Sequence, residues 1–429
     1  MKRKDGYVLD TVYPIFFYKE MQPIWLSSLV HFLGFKAPNV ARSFSYLELA
    51  CAQGTNLIVS AMQYPDSTFV GIDFNPAHIE QAQQSVKQLG LKNIEFIHSD
   101  FQQFLNHNTL KFDFIVNHGT FSWVAPQQQQ LILEIVNQCL NEFGIFYLHY
   151  MCQPGSLALQ PVQKLFNLVD QHTTLTSSDS IEVSKHLFND LMAAGAFVNE
   201  PHLAAIARTL LNSHSYLAHE LLTDHWMPLY STDVHQQVFD ICRMSYIASA
   251  NPCDNLDSIS IPENMQRLIQ QTKAPAVKEY LKDLARNTKQ RLDIFQKQPQ
   301  ALDAKTHAEA LNQFDFKPLA DMPPQGITYF ETAIGKIQAP QALIAELMTQ
   351  FRDQHINIAK LMQMDDFKNN TMFLYETLFL MLQSAYIYPT LPNQAKVEAT
   401  CRQKFNQLMA DNNVALKYND QSPIPIYAA

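Results

Sequence analysis

Between residues 44 and 150 short apolar runs alternate with stretches of helical periodicity, and this alternation constrains the fold more than any other feature. Phe44–Ala50, Thr68–Ile72, Ile94–Ile97, Phe112–Asn117 and Gly144–Tyr150 read as strands, with helices over Asn56–Gln63, Ala77–Leu89 and Gln127–Leu140. Short apolar strands separated by helices describe a parallel sheet covered on both faces, with right-handed crossovers. Gly90 stops the second helix, since the residue past a helix end takes left-handed backbone most readily as glycine. Pro23 opens an earlier helix through Leu33, where its missing N–H costs nothing.

After residue 156 the pattern is helical over Leu157–Gln171, Lys185–Ala194 and Ala204–Leu211. Ser215–Leu222 and Ser245–Ala250 read as two more strands around a helix at Val234–Cys242, a final antiparallel pair closing the sheet after a helical insertion. The remainder is mainly helical: Pro262–Gln271, Ala276–Gln298, Ala339–Gln350, Asp366–Ala385 and Gln394–Asp411, with Pro318–Pro324 a linker. A single core stops growing near about 250–300 residues, so a chain of 429 is expected to form two or three domains.

Lys plus Arg total 31 and Asp plus Glu 40, a net charge of −9, which disfavours a nucleic-acid coat or an anionic-membrane binder. The six cysteines include no CxxC pair, so neither a disulfide scaffold nor a zinc knuckle is expected, and no metal site is assigned. Reduced thiols and an N-terminus without an apolar core point to the cytoplasm, with export by a signal-independent route left open. The longest apolar runs, such as Met372–Met381, stop short of a membrane span.

In an open parallel sheet, ligands bind beyond the carboxyl ends of the strands. Glu48-Leu49-Ala50-Cys51-Ala52-Gln53-Gly54 leaves the first strand there and enters a helix. Alanine at 50 and 52 puts a Cβ where a ligand-binding turn commonly has none, and if either backbone is left-handed this costs about 1–2 kcal/mol. Asp73, ending the second strand, can accept both ribose hydroxyls or cap the helix begun by Asn75-Pro76. Asp100 can accept from an adenine amino group with Phe101 on the ring edge, or be a solvated loop residue. No GxxxxGK[ST] motif is present, and a turn with so few glycines suits adenosine without a phosphate. S-adenosylmethionine is such a molecule. Its methionine end would lie over Glu48–Gly54, its ribose on Asp73 and its adenine by Asp100. Loops after the fourth and fifth strands, Asn117–Val124 and His149–Gly155, can line a substrate pocket. In them His118 or Tyr150 can orient a nucleophile or serve a structural hydrogen bond.

Tyr46–Leu57, Phe69–Asp73, Gly90–Ile94, His118–Val124, Pro154-Gly155 and Tyr216–Leu222 resemble motifs of class I S-adenosylmethionine-dependent methyltransferases. They resemble most the bacterial subgroup with a methyltransferase regulatory domain, which includes rickettsial protein-lysine methyltransferases. The resemblance spans about residues 10–250 and implies an α/β, Rossmann-like seven-stranded sheet with a helical insertion and a mainly helical C-terminal region. The implied organisation is a cap (1–40), a methyltransferase core (41–155), a helical insertion (156–211), completion of the sheet (212–252) and a regulatory or substrate-recognition region of one or two subdomains (253–429). It implies methyl transfer to lysines of a protein substrate, S-adenosylhomocysteine as product, and Glu48, Ala50, Ala52, Gly54, Asn56, Asp73, Phe74, Asp100, Phe101 and Asn117 as cofactor-binding residues. His118, Trp123 and Tyr150 are the expected catalytic residues. Where the subgroup has glycine this chain has Ala50 and Ala52, and where it has an asparagine this chain has Met151. These departures keep two alternatives open: a small-molecule acceptor, or a catalytically weak binding scaffold.

Overall fold

A computed structural model describes residues 2–196, 198, 199, 213–319, 323, 326–353, 356–392, 394, 396–420 and 422–427. Its centre is a seven-stranded sheet. The strands are β1 (Ser45–Leu49), β2 (Thr68–Asp73), β3 (Ile94–His98), β4 (Phe112–Asn117), β5 (Leu140–Met151), β6 (Met244–Ser249) and β7 (Gln290–Lys297). Their spatial order is β3-β2-β1-β4-β5-β7-β6. The first five run parallel, and β7 lies antiparallel to both β5 and β6. The order reverses between β1 and β4, so their carboxyl ends open a crevice there.

Alternation along the strands divides the core into two layers. Tyr46, Phe69, Phe114 and Tyr147 face one side, where Phe44 meets Tyr64, Phe69 and Phe114 edge-on with centroids 5.1–5.8 Å apart. Leu47, Val70, Ile115, Phe146 and Leu148 face the other. Helix α1 (Pro23–Phe32) and α2 (Thr55–Gln63) bury against the first layer, while α5 (Pro126–Cys139) covers the second. α3 (Pro76–Leu89) follows β2 with Asn75 as N-cap, and α4 (Phe101–His107) follows β3.

Two expectations fail. Residues 215–222 are not a strand but part of α8 (His214–Leu221), following α6 (Gln160–Gln171) and α7 (Ser177–Ala193). Ser213 caps it by accepting the Tyr216 N–H, and Leu217, Ala218 and Leu221 form a helical apolar face against Val162, Phe166 and Ile181. The stretch 276–298 is not one helix. α9 (Ser231–Cys242) and α10 (Glu263–Gln271) precede α11 (Pro275–Arg286), which ends at Asn287 with φ of 49°, and the chain returns as β7. The sheet is therefore completed outside 212–252, by a strand inserted between β5 and β6. The expected helix at 204–211 lies outside the described residues, and so does part of the linker 318–324. The C-terminal region is helical, with short antiparallel ribbons such as 315–318 with 387–390.

Candidate functional site

The turn after β1 is held by its backbone. Cys51 N donates to Ile72 O (2.9 Å), Gly54 N donates to Cys51 O (2.8 Å), and Ala52 N donates to Asp73 Oδ2 (2.9 Å). To make these bonds Ala50 and Ala52 adopt φ of 58° and 47°, both left-handed. Gly54, N-cap of α2, has φ of 70°, and a Cβ there would lie 2.1 Å from Phe96 Cζ. That residue must be glycine because a β3 ring packs directly beneath it.

Asp73 braces the crevice. Besides the Ala52 N–H, its Oδ1 accepts from Asn75 N (2.8 Å) and meets His78 Nδ1 at 3.3 Å. His78 Nε2 accepts the Tyr13 N–H (3.1 Å), so Nδ1 carries the proton toward Asp73. Oδ1 is thereby filled, while Oδ2 keeps one lone pair beyond the Ala52 N–H, so one ribose hydroxyl can be accepted there and a second only by displacing the His78 contact. Glu48 is 4% exposed and its Oε2 has no hydrogen-bond partner among the described residues. Burial, then the charge of Asp73, pushes its carboxyl up to about 8, with the Asn56 amide opposing.

The N-terminal segment lies over this crevice as a strap. Arg3 pairs with Asp170 and Asp224, Asp10 accepts the Ser177 N–H at 3.0 Å, Gln53 donates to Tyr13 O at 2.7 Å, and Tyr18 N donates to Asn56 Oδ1 at 2.8 Å. Beneath it is a cavity enclosing about 1170 Å³ of non-atom space, open solvent included. Of the residues expected from sequence, Glu48, Ala50, Ala52, Gly54, Asn56 and Asp73 line it. Phe74, Asp100, Phe101 and His118 line it too. Asp100 also caps α4, accepting the Gln103 N–H at 2.9 Å. Asn117 lies behind the wall, donating to Leu49 O (3.0 Å) with its Oδ1 unpartnered.

A second, more polar cavity adjoins the first, and Tyr13, Tyr18, His118 and Gly119 line both. Trp123 and His149 line only the second. His118 stacks between Tyr18 (3.9 Å) and His149 (4.2 Å), and its Nδ1 is 2.8 Å from the Tyr147 hydroxyl. Burial, then the neighbouring His149, holds the His118 pKa well below its ordinary value, and burial lowers His149 to about 4. Both rings are neutral near pH 7.

Tyr150 is not in the site. Successive residues of β5 point to opposite faces, so Tyr147 enters the first core layer and His149 lines the second cavity on that same side, while Tyr150 enters the other core layer. There its hydroxyl donates to Asp293 (2.7 Å) within a buried cluster of Arg291, Asp283, Asp293 and Glu279. Sequence reasoning placed His149, the neighbour of Tyr150, only within a pocket-lining loop and Glu220 only on a structural or substrate-facing strand, and it did not single out His78 or assign roles to the strap tyrosines Tyr7, Tyr13 and Tyr18. The signal was present only in Tyr13-Pro14 and in the apolar, aromatic run before Pro23.

Strand order and a crevice at the order reversal define a class I, Rossmann-like methyltransferase fold. A methyltransferase domain family matches residues 42–200, and a predicted methyltransferase regulatory domain family matches residues 213–297. An uncharacterized protein of Synechocystis is 28% identical over 398 residues, covering 91% of this chain and 78% of that protein. An uncharacterized protein of Rickettsia prowazekii is 40% identical over 146 residues, 34% of this chain and 26% of that protein. Among solved structures, PKMT2 from Rickettsia typhi superposes with a TM-score of 0.72 at 19% identity, covering 97% of this chain and 87% of that one. Its complex with AdoHcy gives the same score at 17% identity. The chain is an S-adenosylmethionine-dependent methyltransferase with a methyltransferase regulatory domain, using S-adenosylmethionine as cofactor and releasing S-adenosylhomocysteine.

The residues fit that cofactor. The buried, unpartnered Glu48 Oε2 is an acceptor for an ammonium group, Asp73 Oδ2 has a free lone pair for a ribose hydroxyl, and the Phe74 and Phe101 rings line the same cavity. Among the described residues no group of three His, Cys, Asp or Glu is placed to hold a metal, and no helix is long and apolar enough to cross a membrane.

Proposed function

We propose that the protein methylates lysine side chains of a protein substrate, with Glu48, Asp73 and Asp100 holding the cofactor's ammonium, ribose and adenine. The observation that carries the acceptor assignment is the second cavity: it joins the cofactor crevice at Tyr13, Tyr18 and His118, and of its carboxylates Glu220 has no ion pair among the described residues, while Glu20 is paired with Lys19 and Asp254 with Arg286. Acidic groups with tyrosine walls suit a cation on an apolar stem, the chemistry of lysine. The sequence resemblance to protein-lysine methyltransferases and the fold shared with PKMT2 support the same reading.

The bound cofactor supplies a sulfonium methyl: the N–C bond forms as the C–S bond breaks, its electron pair staying on sulfur. What the chain contributes is orientation, which can supply several kcal/mol of the barrier. A lysine of reference pKa ~10.4 must lose a proton before it can attack, and the half-closed aromatic site favours its neutral form. Neutral His118, stacked between Tyr18 and His149, forms a fixed wall between the two cavities.

The test is transfer of tritiated methyl from the cofactor into bacterial lysate, separated into protein and small-molecule fractions, with hydrolysis of the protein fraction. Methyl-lysine in the protein hydrolysate is the expected result. Label confined to small molecules refutes it.

A further inference from the structure

Glu220 stands out among the groups the cofactor does not need. It lies in the last turns of α8, partly buried, and lines the second cavity. Among the described residues it has no hydrogen bond or ion pair. Tyr13, Tyr18 and Tyr216 line the same cavity, and the Glu220 charge raises their pKa values and that of Tyr7, burial acting first in each. Tyr13 and Tyr18 come from the strap and also line the cofactor crevice. A half-buried carboxylate that faces a cavity and has no cation paired with it is a ready partner for a cationic ligand.

We propose that Glu220 receives the acceptor amine, forming with Tyr13, Tyr18 and Tyr216 a carboxylate-and-phenol cage beside the methyl donor. The inference rests on the methyltransferase reading and names the group that selects its acceptor. In the cage a Lys–NH₃⁺ pairs with the Glu220 carboxylate and is flanked by tyrosine faces. One proton passes from nitrogen to the carboxylate, leaving a neutral amine with a free lone pair and a neutral acid. The amine nitrogen then takes the methyl group and becomes a secondary ammonium, and Glu220 returns its proton to solvent.

Other charged groups on the cavity are accounted for. Glu20 pairs with Lys19, and Arg286 with Asp254 and Asp257. Lys289 is exposed at the rim. His118, His149 and, on the helix of Glu220, His219 are all lowered by burial and neutral near pH 7. Burial pushes Glu220 up to about 8, so it gains its charge as pH rises through that value.

The experiment titrates Nα-acetyl-lysine methylamide and its norleucine analogue into the full chain saturated with S-adenosylhomocysteine, for wild type, Glu220→Gln and Glu220→Asp. Wild type should bind the lysine probe at least tenfold more tightly than the norleucine probe, with affinity rising between pH 7 and 9. Glu220→Gln should lose at least tenfold and its pH dependence, Glu220→Asp should keep part of both, and affinity for S-adenosylhomocysteine should stay within twofold, reporting an intact fold. Equal lysine affinity in Glu220→Gln, or no preference over norleucine in wild type, overturns the assignment. Methyl-lysine in the protein fraction with equal probe binding by Glu220→Gln leaves the proposed function standing and removes Glu220 from it. Glu220-dependent probe binding with label only in small molecules keeps the cage and removes the protein acceptor.

Discussion

Ala50 and Ala52 offer the most direct test of the crevice, because glycine should improve the protein there. Both have left-handed backbone, with φ of 58° and 47°. An L-residue with a Cβ pays about 1–2 kcal/mol for that conformation. Replacing alanine by glycine loosens the unfolded chain, which costs about 0.4–1 kcal/mol. The difference favours each variant by about 0.5–1 kcal/mol. Both residues are only half-buried, so little packing is lost, and the bond from residue 52 N–H to Asp73 is a backbone bond that survives. The two positions share that turn, so their effects need not add. The assay is the denaturant midpoint of Ala50→Gly, Ala52→Gly and the double variant, beside Ala61→Gly as control. Ala61 is buried within α2, where glycine should destabilise by about 1 kcal/mol or more. Midpoints should rise in the turn variants and fall in the control, with cofactor affinity equal or better. If Ala52→Gly falls as far as Ala61→Gly, the turn is not left-handed and the account of the crevice fails.

The reverse change, Gly54→Ala, should destabilise by more than about 2 kcal/mol, since it joins a left-handed backbone to a Cβ 2.1 Å from Phe96. Phe96→Ala in the same chain should restore part of the lost cofactor binding, and no rescue would show that Phe96 is not the obstacle. Glu48→Gln should weaken S-adenosylhomocysteine at least tenfold, as loss of a charged hydrogen bond of about 1.5–3 kcal/mol would. Its folded pKa near 8 lies above the unfolded value, so its contribution to apo-protein stability is full at low pH and is lost as pH rises through about 8. Glu48→Gln should therefore be relatively more stable than wild type at pH 9 while binding less well, checked by melting curves at pH 6 and 9. Tyr150→Phe should cost about 1 kcal/mol of stability through its bond to Asp293 and leave methyl transfer unchanged. A large fall in kcat with stability intact would return Tyr150 to the site.

The five parallel strands were readable because strands buried on both faces leave unbroken apolar runs, and the helices between them carry their own stops. The turn Glu48–Gly54 and Asp73 were readable because a strand end has a fixed meaning in this topology. Tyr150 was misplaced because parity decides which of two neighbours faces a crevice, and parity depends on which face of the sheet carries it. β7 was hidden in a helix because its Arg291 and Asp293 are buried polar residues, Arg291 pairing with Asp293 and with Glu279 and Asp283 of the preceding helix. Such pairing breaks the apolar alternation that marks a strand. Glu220 was assigned to a strand in place of α8, because the doublets Leu217-Ala218 and Leu221-Leu222 suit a short strand as well as one helical face. The strap tyrosines sit on an extended segment without period, and only its closure over the crevice gives them a role.

The segment matched by the regulatory domain family, 213–297, holds Glu220 and the two strands that complete the sheet. β7 pairs with β5 from Ile145–Gln296 to Met151–Gln290, and Arg291 and Asp293 reach Tyr150 and Asp283 from the same strand. A segment so placed cannot be lifted away to switch the enzyme, because its removal bares the edge of a buried strand and leaves Tyr150 without its partner. Chain 1–212 expressed alone should therefore aggregate, and co-expression with 213–429 should return it to the soluble fraction bound to that piece. A soluble, monomeric 1–212 that binds S-adenosylmethionine as tightly as the whole chain would show that the segment is an accessory after all.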